Sequence, residues 1–157
     1  MLKKISPKTH HRVGGRFAIV ASRYNRRYVD AMVRAAVRTL KGAGGSVEVI
    51  RVPGAFEIPA VAAKLALAEG FDALICLGVV LRGATTHAQH IGEAVTNALI
   101  LLQVTYQIPV IHEVLLLENE DQARERCLDA KHNRGIEAAQ TALEMAAVMR
   151  RLGRRSK

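Results

Sequence analysis

The segment DALICLGVVLRGATTHAQH, residues 72–90, decides the fold of this chain. Its first part, residues 72–81, is almost continuously apolar, which is typical of a strand buried on both faces of a parallel sheet. Arg82 and Gly83 end the apolar run, and apolar residues at helical spacing begin a few positions later. A buried strand that leads straight into a helix is half of a βαβ unit, so the segment indicates an α/β protein.

The rest of the chain repeats this alternation of strand and helix. Three further segments have the character of strands: RFAIVAS (16–22), SVEVIRV (46–52) and IPVIHEVLLL (108–117). Five segments have a helical pattern: 26–45, 60–70, 86–107, 118–130 and 133–153. This order predicts a four-stranded parallel sheet with helices on both faces and right-handed crossovers.

Length and composition favour one globular domain. The chain has 157 residues, of which 50% are hydrophobic and 24% charged, and this suffices for a substantial core. We expect a loose basic arm at residues 1–15, a single domain at 16–153 and a basic tail at 154–157. Cys76 and Cys127 stand outside any CxxC pair, so they do not make a disulfide framework.

The chain is strongly basic, with a formal net charge of +9. Such a charge is compatible with binding to nucleic acid, to a membrane surface or to anionic small molecules. Much of it lies at the two ends, where basic residues usually form solvated tails, so we expect neither nucleic acid nor membrane as a partner. No segment has the apolar length of a signal peptide or a membrane span, so the cytoplasm is the expected compartment.

The loops that follow the strands are the expected place for a ligand, because open α/β sheets bind ligands at the carboxyl ends of their strands. Four segments occupy this place: SRYN (22–25), VPGAFE (52–57), VLRGATTH (80–87) and IHEVLLLEN (111–119). The chain lacks GxxxxGK[ST] and a strand-linked GxGxxG, which argues against a nucleoside triphosphate or a dinucleotide.

The VLRGATTH segment combines a helix start with a histidine. Thr86 and Gln89 fit a capping box, which predicts a helix start near Thr85 or Thr86. A helix start suits a phosphate, and Arg82 either adds positive charge or pairs with an acid elsewhere. A histidine at this place, His87, can exchange protons with a substrate. A capped helix without a ligand and a surface histidine are the plain alternatives.

Each of three other side chains has two possible roles, one in binding a ligand and one that is only structural. Tyr24 can stack on a flat ring or simply pack against the fold. Glu57 can accept hydrogen bonds from polyol hydroxyls or stabilise a helix dipole. Arg126 can bind a phosphate in bidentate fashion or remain a surface arginine on a polar helix.

A metal site is a weaker interpretation of the histidines. His87 and His90 are three residues apart on a predicted helix, and His112 or Glu113 could supply a third ligand. No fixed spacing joins these residues, so we expect no metal.

Three of the segments resemble one enzyme family. VPGAFEIP (52–59), GVVLRGATTHAQH (78–90) and ENEDQARER (118–126) have the order and spacing found in lumazine synthases, and the resemblance runs from about Phe17 to Leu152. It implies a flavodoxin-like three-layer sandwich and active sites between the subunits of a pentamer. The implied reaction condenses 5-amino-6-(D-ribitylamino)uracil with 3,4-dihydroxy-2-butanone 4-phosphate. The products would be 6,7-dimethyl-8-ribityllumazine and inorganic phosphate, in the penultimate step of riboflavin biosynthesis, with no metal and no organic cofactor.

The resemblance also implies roles for individual residues. Tyr24 matches the aromatic residue that stacks on the pyrimidine, His87 matches the general acid/base, and Arg126 matches the arginine that reaches the phosphate. The phosphate-binding turn matches Ala84 and Thr85. The segments that hold the ribityl chain and the uracil ring match Ala55, Phe56, Glu57, Val79, Val80 and Leu81.

The chain departs from the family pattern at three places. His112 and Glu113 replace a Phe-Gly pair, and His112 would contact the pyrimidine of the adjacent subunit with a charge that depends on pH. Gln89 and His90 differ from the usual residues after the acid/base, and Gln89 removes a possible charge partner of His87. The segment 125–135 departs, in its glycines and in the placement of its lysine, from the glycine-rich pattern of a loop that contributes to contacts between pentamers in capsid-forming members.

These departures leave alternatives open. One is a low-activity paralogue that binds flavin or lumazine compounds without making them efficiently. Another, motivated by the net charge, is a basic shell associated with nucleic acid. For the assembly we expect a free pentamer, with a decamer or a 60-mer as the other possibilities.

Overall fold

A computed structural model describes residues 14–155. The four strands are β1 (Arg16–Ser22), β2 (Ser46–Val52), β3 (Ala73–Leu81) and β4 (Val110–Leu117). The helices are α1 (Arg26–Gly42), α2 (Ile58–Ala68), α3 (His87–Tyr106), α4 (Glu120–Leu128) and α5 (Arg134–Arg155), with a short 3₁₀ turn at Ala55–Glu57 before α2. Every predicted strand and helix is present, so the predicted α/β class is confirmed.

All four strands are parallel and lie in the order β2-β1-β3-β4. The strand that begins the fold-determining segment, β3, is therefore central. Its side chains are buried from Ala73 to Val79, as its continuous apolar sequence predicts. Because β1 and β3 are neighbours, the loops that follow them open side by side at the carboxyl edge of the sheet.

The helices form one layer on each face of the sheet. The layer formed by α1, α4 and α5 covers Phe17, Ile19 and Leu77, whereas the layer formed by α2 and α3 covers Val20 and Cys76. Successive residues of a strand point to opposite faces, so one central strand supplies both cores. The three-layer sandwich is confirmed.

One glycine sets how closely two helices approach. A Cβ atom added at Gly135 would lie 2.0 Å from the carbonyl oxygen of Met32, a backbone atom of α1. Only a residue without a side chain can therefore stand at this position in the first turn of α5, so close to α1.

The ends of the chain differ from the predicted boundaries in one respect. α5 continues through Arg155, two residues into the segment predicted to be a tail. Residues 1–13 of the predicted basic arm and residues 156–157 of the tail lie outside the described residues. Cys76 and Cys127 are both buried and free, and no helix within residues 14–155 is long and apolar enough to cross a membrane.

Candidate active site

Three of the four loops predicted to carry the chemistry surround one cavity of about 820 Å³, which we call the ring cavity. It lies at the carboxyl edge of the sheet, between the ends of β1, β2 and β3 and the first turns of α3. Its lining consists of Tyr24, Asn25, Gly54, Ala55, Phe56, Glu57, Val79, Val80, Leu81, His87, His90, Ile91 and Ala94. Eight of the residues implied by the resemblance are thus brought together, namely Tyr24, Ala55, Phe56, Glu57, Val79, Val80, Leu81 and His87.

Backbone and side-chain hydrogen bonds hold the loops around the cavity. The Tyr24 N–H donates to the Pro53 carbonyl at 3.2 Å, which ties the β1 loop to the β2 loop. Asn25 Nδ2 donates to the Val79 carbonyl at 2.7 Å, which ties the same loop to the end of β3. Asn25 adopts a left-handed conformation (φ 54°) that asparagine tolerates better than most residues. These bonds join the loops that follow β1 and β2 to each other and to the end of β3.

A glycine allows an aromatic ring and a carboxylate to meet at the cavity wall. A Cβ atom added at Gly54 would lie 2.9 Å from Glu57 Oε2 and 3.1 Å from Tyr24 Cδ2. The Gly54 N–H donates to Glu57 Oε2 at 2.9 Å, so this oxygen is oriented while the carboxylate remains exposed. Tyr24 and Phe56 are 70% and 63% exposed, and two large rings so exposed offer a flat surface to a ligand.

The third loop places His87 at the cavity and begins α3 as predicted, but its capping differs. Thr86 is the N-cap residue, yet its φ of −74° and ψ of 0° are not the extended values that a capping side chain needs. Its side chain makes no capping hydrogen bond, and Gln89 Nε2 donates to Glu93 Oε1 at 2.9 Å instead. The predicted capping box is therefore wrong, while the predicted helix start is confirmed.

The turn to which the resemblance assigns the phosphate lies beside the cavity rather than in its wall. Ala84 and Thr85 are exposed and stand in the chain between Leu81 and His87, which both line the cavity. Thr85 Oγ1 accepts a hydrogen bond from the His87 N–H at 3.4 Å. Because the Thr86 side chain does not cap the helix, the first-turn amides other than that of His87 have no side-chain cap and remain open to an anion.

Arg82 takes the second of its two predicted roles. Its Nε lies 3.3 Å from Glu118 Oε1, and its backbone N–H donates to the Leu117 carbonyl at 2.8 Å. Both contacts join the end of β3 to the end of β4, so Arg82 pairs with an acid and does not face the ring cavity.

His112 lies away from the ring cavity of its own chain. Its Nδ1 accepts a hydrogen bond from the Val114 N–H at 3.2 Å, and its Nε2 lies 2.8 Å from Thr96 Oγ1 on α3. Thr96 Oγ1 already donates to the Gly92 carbonyl, so His112 Nε2 carries the proton and donates to Thr96. Burial lowers the pKa of His112, which favours the neutral ring that these bonds require.

Arg126 also lies away from the ring cavity, on the exposed side of α4. It is close enough to Glu113, on β4, to act on the carboxyl electrostatically. The Glu113 side chain is only 15% exposed, and its Oε2 lies 3.8 Å from Arg134 Nε at the start of α5. Burial raises the pKa of Glu113 to about 7, although both arginines oppose this effect.

The sequence reasoning overlooked several residues that the fold brings to these sites. Ile91 and Ala94 line the ring cavity, as does His90, which was considered only as a metal ligand and a departure from the family pattern; all three follow His87 at helical spacing, so helical periodicity could have found them. Asn25 could have been found as the residue between a strand and a helix. Arg134 carried no local signal, because only the fold places the start of α5 beside β4.

The histidines do not gather into a metal site. His87 and His90 line the ring cavity, whereas His112 faces Thr96 and Glu113 faces Arg134. Among residues 14–155, no group of three or more His, Cys, Asp or Glu side chains is placed to hold a metal ion.

Comparison with known proteins agrees with this geometry. Residues 14–150 match the family model for 6,7-dimethyl-8-ribityllumazine synthase. A 6,7-dimethyl-8-ribityllumazine synthase of Stenotrophomonas maltophilia (strain R551-3) is 41% identical over 140 residues, which cover 87% of this chain and 90% of the relative. One of Xylella fastidiosa (strain 9a5c) is 42% identical over 142 residues, covering 88% and 92%. This chain therefore belongs to the 6,7-dimethyl-8-ribityllumazine synthase family.

Proposed function

We propose that this chain condenses 5-amino-6-(D-ribitylamino)uracil with 3,4-dihydroxy-2-butanone 4-phosphate to give 6,7-dimethyl-8-ribityllumazine and inorganic phosphate. The observation that carries the proposal is the ring cavity. It combines an exposed aromatic ring, an exposed carboxylate and a histidine at one edge of the sheet, next to an uncapped helix start.

In this proposal the pyrimidine lies against Tyr24 with its edge toward the end of β3. Val79, Val80 and Leu81 form that wall, and the backbone of a strand end can pair with the polar edge of a uracil ring. The ribityl chain lies along Ala55, Phe56 and Glu57, where the carboxylate accepts hydrogen bonds from its hydroxyls. The phosphate of the second substrate lies at the Ala84–Thr85 turn, at the start of α3.

The chemistry consists of two condensations and one elimination. The 5-amino group attacks the ketone, and loss of one water gives a Schiff base. Removal of a proton next to the imine carbon then allows the C–O bond to the phosphate to break. The enol left by this elimination tautomerises to a ketone, the ribityl-bearing nitrogen attacks that new carbonyl, and loss of a second water closes the ring.

His87 is the side chain proposed to move these protons. It is exposed in the cavity wall at the first turn of α3, within the same space as Tyr24 and Glu57. A positioned imidazole can take the proton next to the imine and return one to a leaving hydroxyl. Holding the two substrates side by side supplies a further, entropic part of the acceleration.

The direct test is the formation of 6,7-dimethyl-8-ribityllumazine from both substrates, followed by absorbance against a control without protein. We expect a rate well above that of the uncatalysed condensation. A rate equal to the control, from folded protein that still binds riboflavin, would identify a binding paralogue and reject the proposed enzyme.

Replacing Arg126 by alanine is expected to raise the KM for the butanone phosphate about 10- to 100-fold, which is the effect of losing a charge-assisted hydrogen bond. The KM for the pyrimidine should change little. Arg124→Ala is the matched control, because Arg124 lies on the same helix and pairs with Glu120 and Asp121. Equal increases in both KM values for Arg126→Ala would mean that Arg126 supports the structure instead.

We also propose that the chain acts as a pentamer, with residues 16–153 as the assembling domain. Three large apolar side chains are exposed at helical spacing on α3, namely Ile100, Leu101 and Val104, and the latter two are 67% and 68% exposed. A contiguous apolar stripe of this kind is characteristic of a protein interface. The proposed assembly would also bring His112 and Arg126, which lie outside the ring cavity of their own chain, to that of a neighbour. The cytoplasm remains the predicted compartment.

Replacing Leu101 by glutamate is expected to dissociate the assembly, because a carboxylate would be buried without a partner in an apolar interface. Light scattering after size exclusion should show the mass fall from that of the oligomer toward that of one chain. Ala147→Glu adds the same charge at an exposed position of α5, outside the stripe, and should leave the mass unchanged. An unaltered oligomer in Leu101→Glu would exclude α3 from the interface.

A further inference from the structure

A second cavity lies at the same edge of the sheet and has a different chemical character. It has a volume of about 220 Å³ and is lined by Arg23, Arg26, Asp30 and Arg51. We call it the guanidinium cavity. Three arginines and one aspartate give it an excess of two positive charges, so it is suited to an anion.

The aspartate orders two of the three arginines. Arg26 Nε donates to Asp30 Oδ2 at 3.0 Å, and Arg51 Nη2 donates to Asp30 Oδ1. Arg51 Nη1 also donates to the Ser22 carbonyl at 3.4 Å. Burial raises the pKa of Asp30, but the hydrogen bonds and charges of Arg26 and Arg51 outweigh this and lower it, so the carboxylate is ionised near neutral pH. The cation pair is therefore held in place before a ligand arrives.

The side chains that line the guanidinium cavity have more hydrogen-bond donors than acceptors. A guanidinium group has five N–H donors, and Asp30 occupies only one on Arg26 and one on Arg51 by the bonds above. Within residues 14–155, the Arg23 side chain makes no hydrogen bond or ion pair. Several N–H groups and one whole guanidinium thus remain for an anion.

The guanidinium cavity is lined by residues next in the chain to those of the ring cavity, although the two cavities have no lining residue in common. Arg23 directly precedes Tyr24, and its backbone N–H donates to the Val52 carbonyl at 2.9 Å and to the Pro53 carbonyl at 3.1 Å. Arg51 stands at the end of β2, three residues before Gly54 of the ring cavity. The loops that follow β1 and β2 therefore carry lining residues of both cavities.

We propose that the guanidinium cavity binds the phosphate end of a ligand whose ring lies in the ring cavity. Arginine is the preferred bidentate partner of phosphate, and a phosphate monoester carries a charge close to two, which matches the excess of the cluster. This site is separate from the Ala84–Thr85 turn, which follows β3 rather than β1 and β2. This inference rests on the proposed function in one respect, because that function places the ring of the ligand in the ring cavity.

Riboflavin and riboflavin 5′-phosphate form a suitable pair of probes, because they differ only by the phosphate at the end of the ribityl chain. We expect the phosphorylated form to bind the full-length protein about tenfold more tightly, measured by quenching of flavin fluorescence at low ionic strength. Arg23→Gln and Arg51→Gln should each reduce this preference several-fold. Arg23 has no side-chain partner within the described residues, so its loss should not affect folding.

Arg34→Gln is the matched control. It removes the same charge from an exposed position of α1 outside the guanidinium cavity, so the preference should persist if the local site, and not the net charge, is responsible. Inorganic phosphate should abolish the preference by competition while riboflavin still binds. Competition by inorganic phosphate therefore distinguishes recognition of the phosphate group from recognition of the whole ligand.

Three results would overturn the proposal: equal affinities of the two flavins for the unmodified protein, a preference that survives both Arg23→Gln and Arg51→Gln, or no binding of either flavin. The experiment is independent of turnover. A phosphate preference in a protein that forms no lumazine would reject the proposed enzyme activity but leave this site intact.

Discussion

Replacing His87 by alanine is expected to lower the turnover number by about 10²-fold, which is the usual effect of losing a general acid or base. The expectation follows from the position of His87 at the first turn of α3, where its side chain forms part of the ring cavity. Because Tyr24 and Glu57 would still hold the pyrimidine, its KM should change much less than the turnover number. Lumazine formation at saturating concentrations of both substrates measures the effect.

His90 provides the control for this experiment. It lies one helical turn further along α3 and lines the same cavity, so His90→Ala removes an imidazole of the same size from the same wall. It should lower turnover only slightly if the acid/base role belongs to His87. Similar losses in both variants would assign the effect to the shape of the cavity, and an unaltered rate in His87→Ala would contradict the proposed role.

Much of this site could be predicted from the sequence because apolar residues recur with one period in strands and with another in helices. The apolar run of β3 and the alternation in β2 locate the strands, and the rule for open parallel sheets then directs attention to the residues that follow them. No side-chain contact is needed for that step. Tyr24, Glu57 and His87 could therefore be assigned to one edge, and the fold brings them to one cavity.

The features that could not be predicted depend on distances between residues remote in the sequence or on backbone angles. The Thr86–Gln89 spacing fits a capping box, but the backbone angles of Thr86 and the nearby Glu93 give Gln89 another partner. Arg51 and Asp30 meet because β2 and α1 lie side by side, although 21 positions separate them. Glu113 and Arg134 meet for a similar reason. A sequence pattern cannot supply these contacts, because each needs the completed packing of two elements.

Glu113 leads to the second large prediction, which concerns stability. Burial raises its pKa from an ordinary value of 4.5 to about 7, although Arg134 and Arg126 oppose the shift. Between these two pH values the folded protein holds a proton on Glu113 that the unfolded chain has released. The free energy of unfolding must therefore fall as the pH rises through this window. At about 1.4 kcal/mol per pH unit, this buried carboxyl accounts for a loss of about 3 kcal/mol, an order-of-magnitude figure.

Glu113→Gln removes the titration and keeps the shape of the side chain. At pH 5 the variant should match the unmodified protein within about 1 kcal/mol, because Glu113 is then protonated in the folded state. At pH 8 it should be more stable by up to about 3 kcal/mol, a figure that already includes the opposing charges of Arg134 and Arg126. Urea unfolding at both pH values and one fixed protein concentration measures the difference, since the apparent stability of an oligomer depends on its concentration.

Glu125→Gln, at an exposed position of α4, is the control, and its free energy of unfolding should equal that of the unmodified protein at both pH values. If the free energy of unfolding changed with pH in the same way in Glu113→Gln and in the unmodified protein, the prediction would be wrong. Arg134 and Arg126 would then stabilise the charged carboxylate enough to offset its burial.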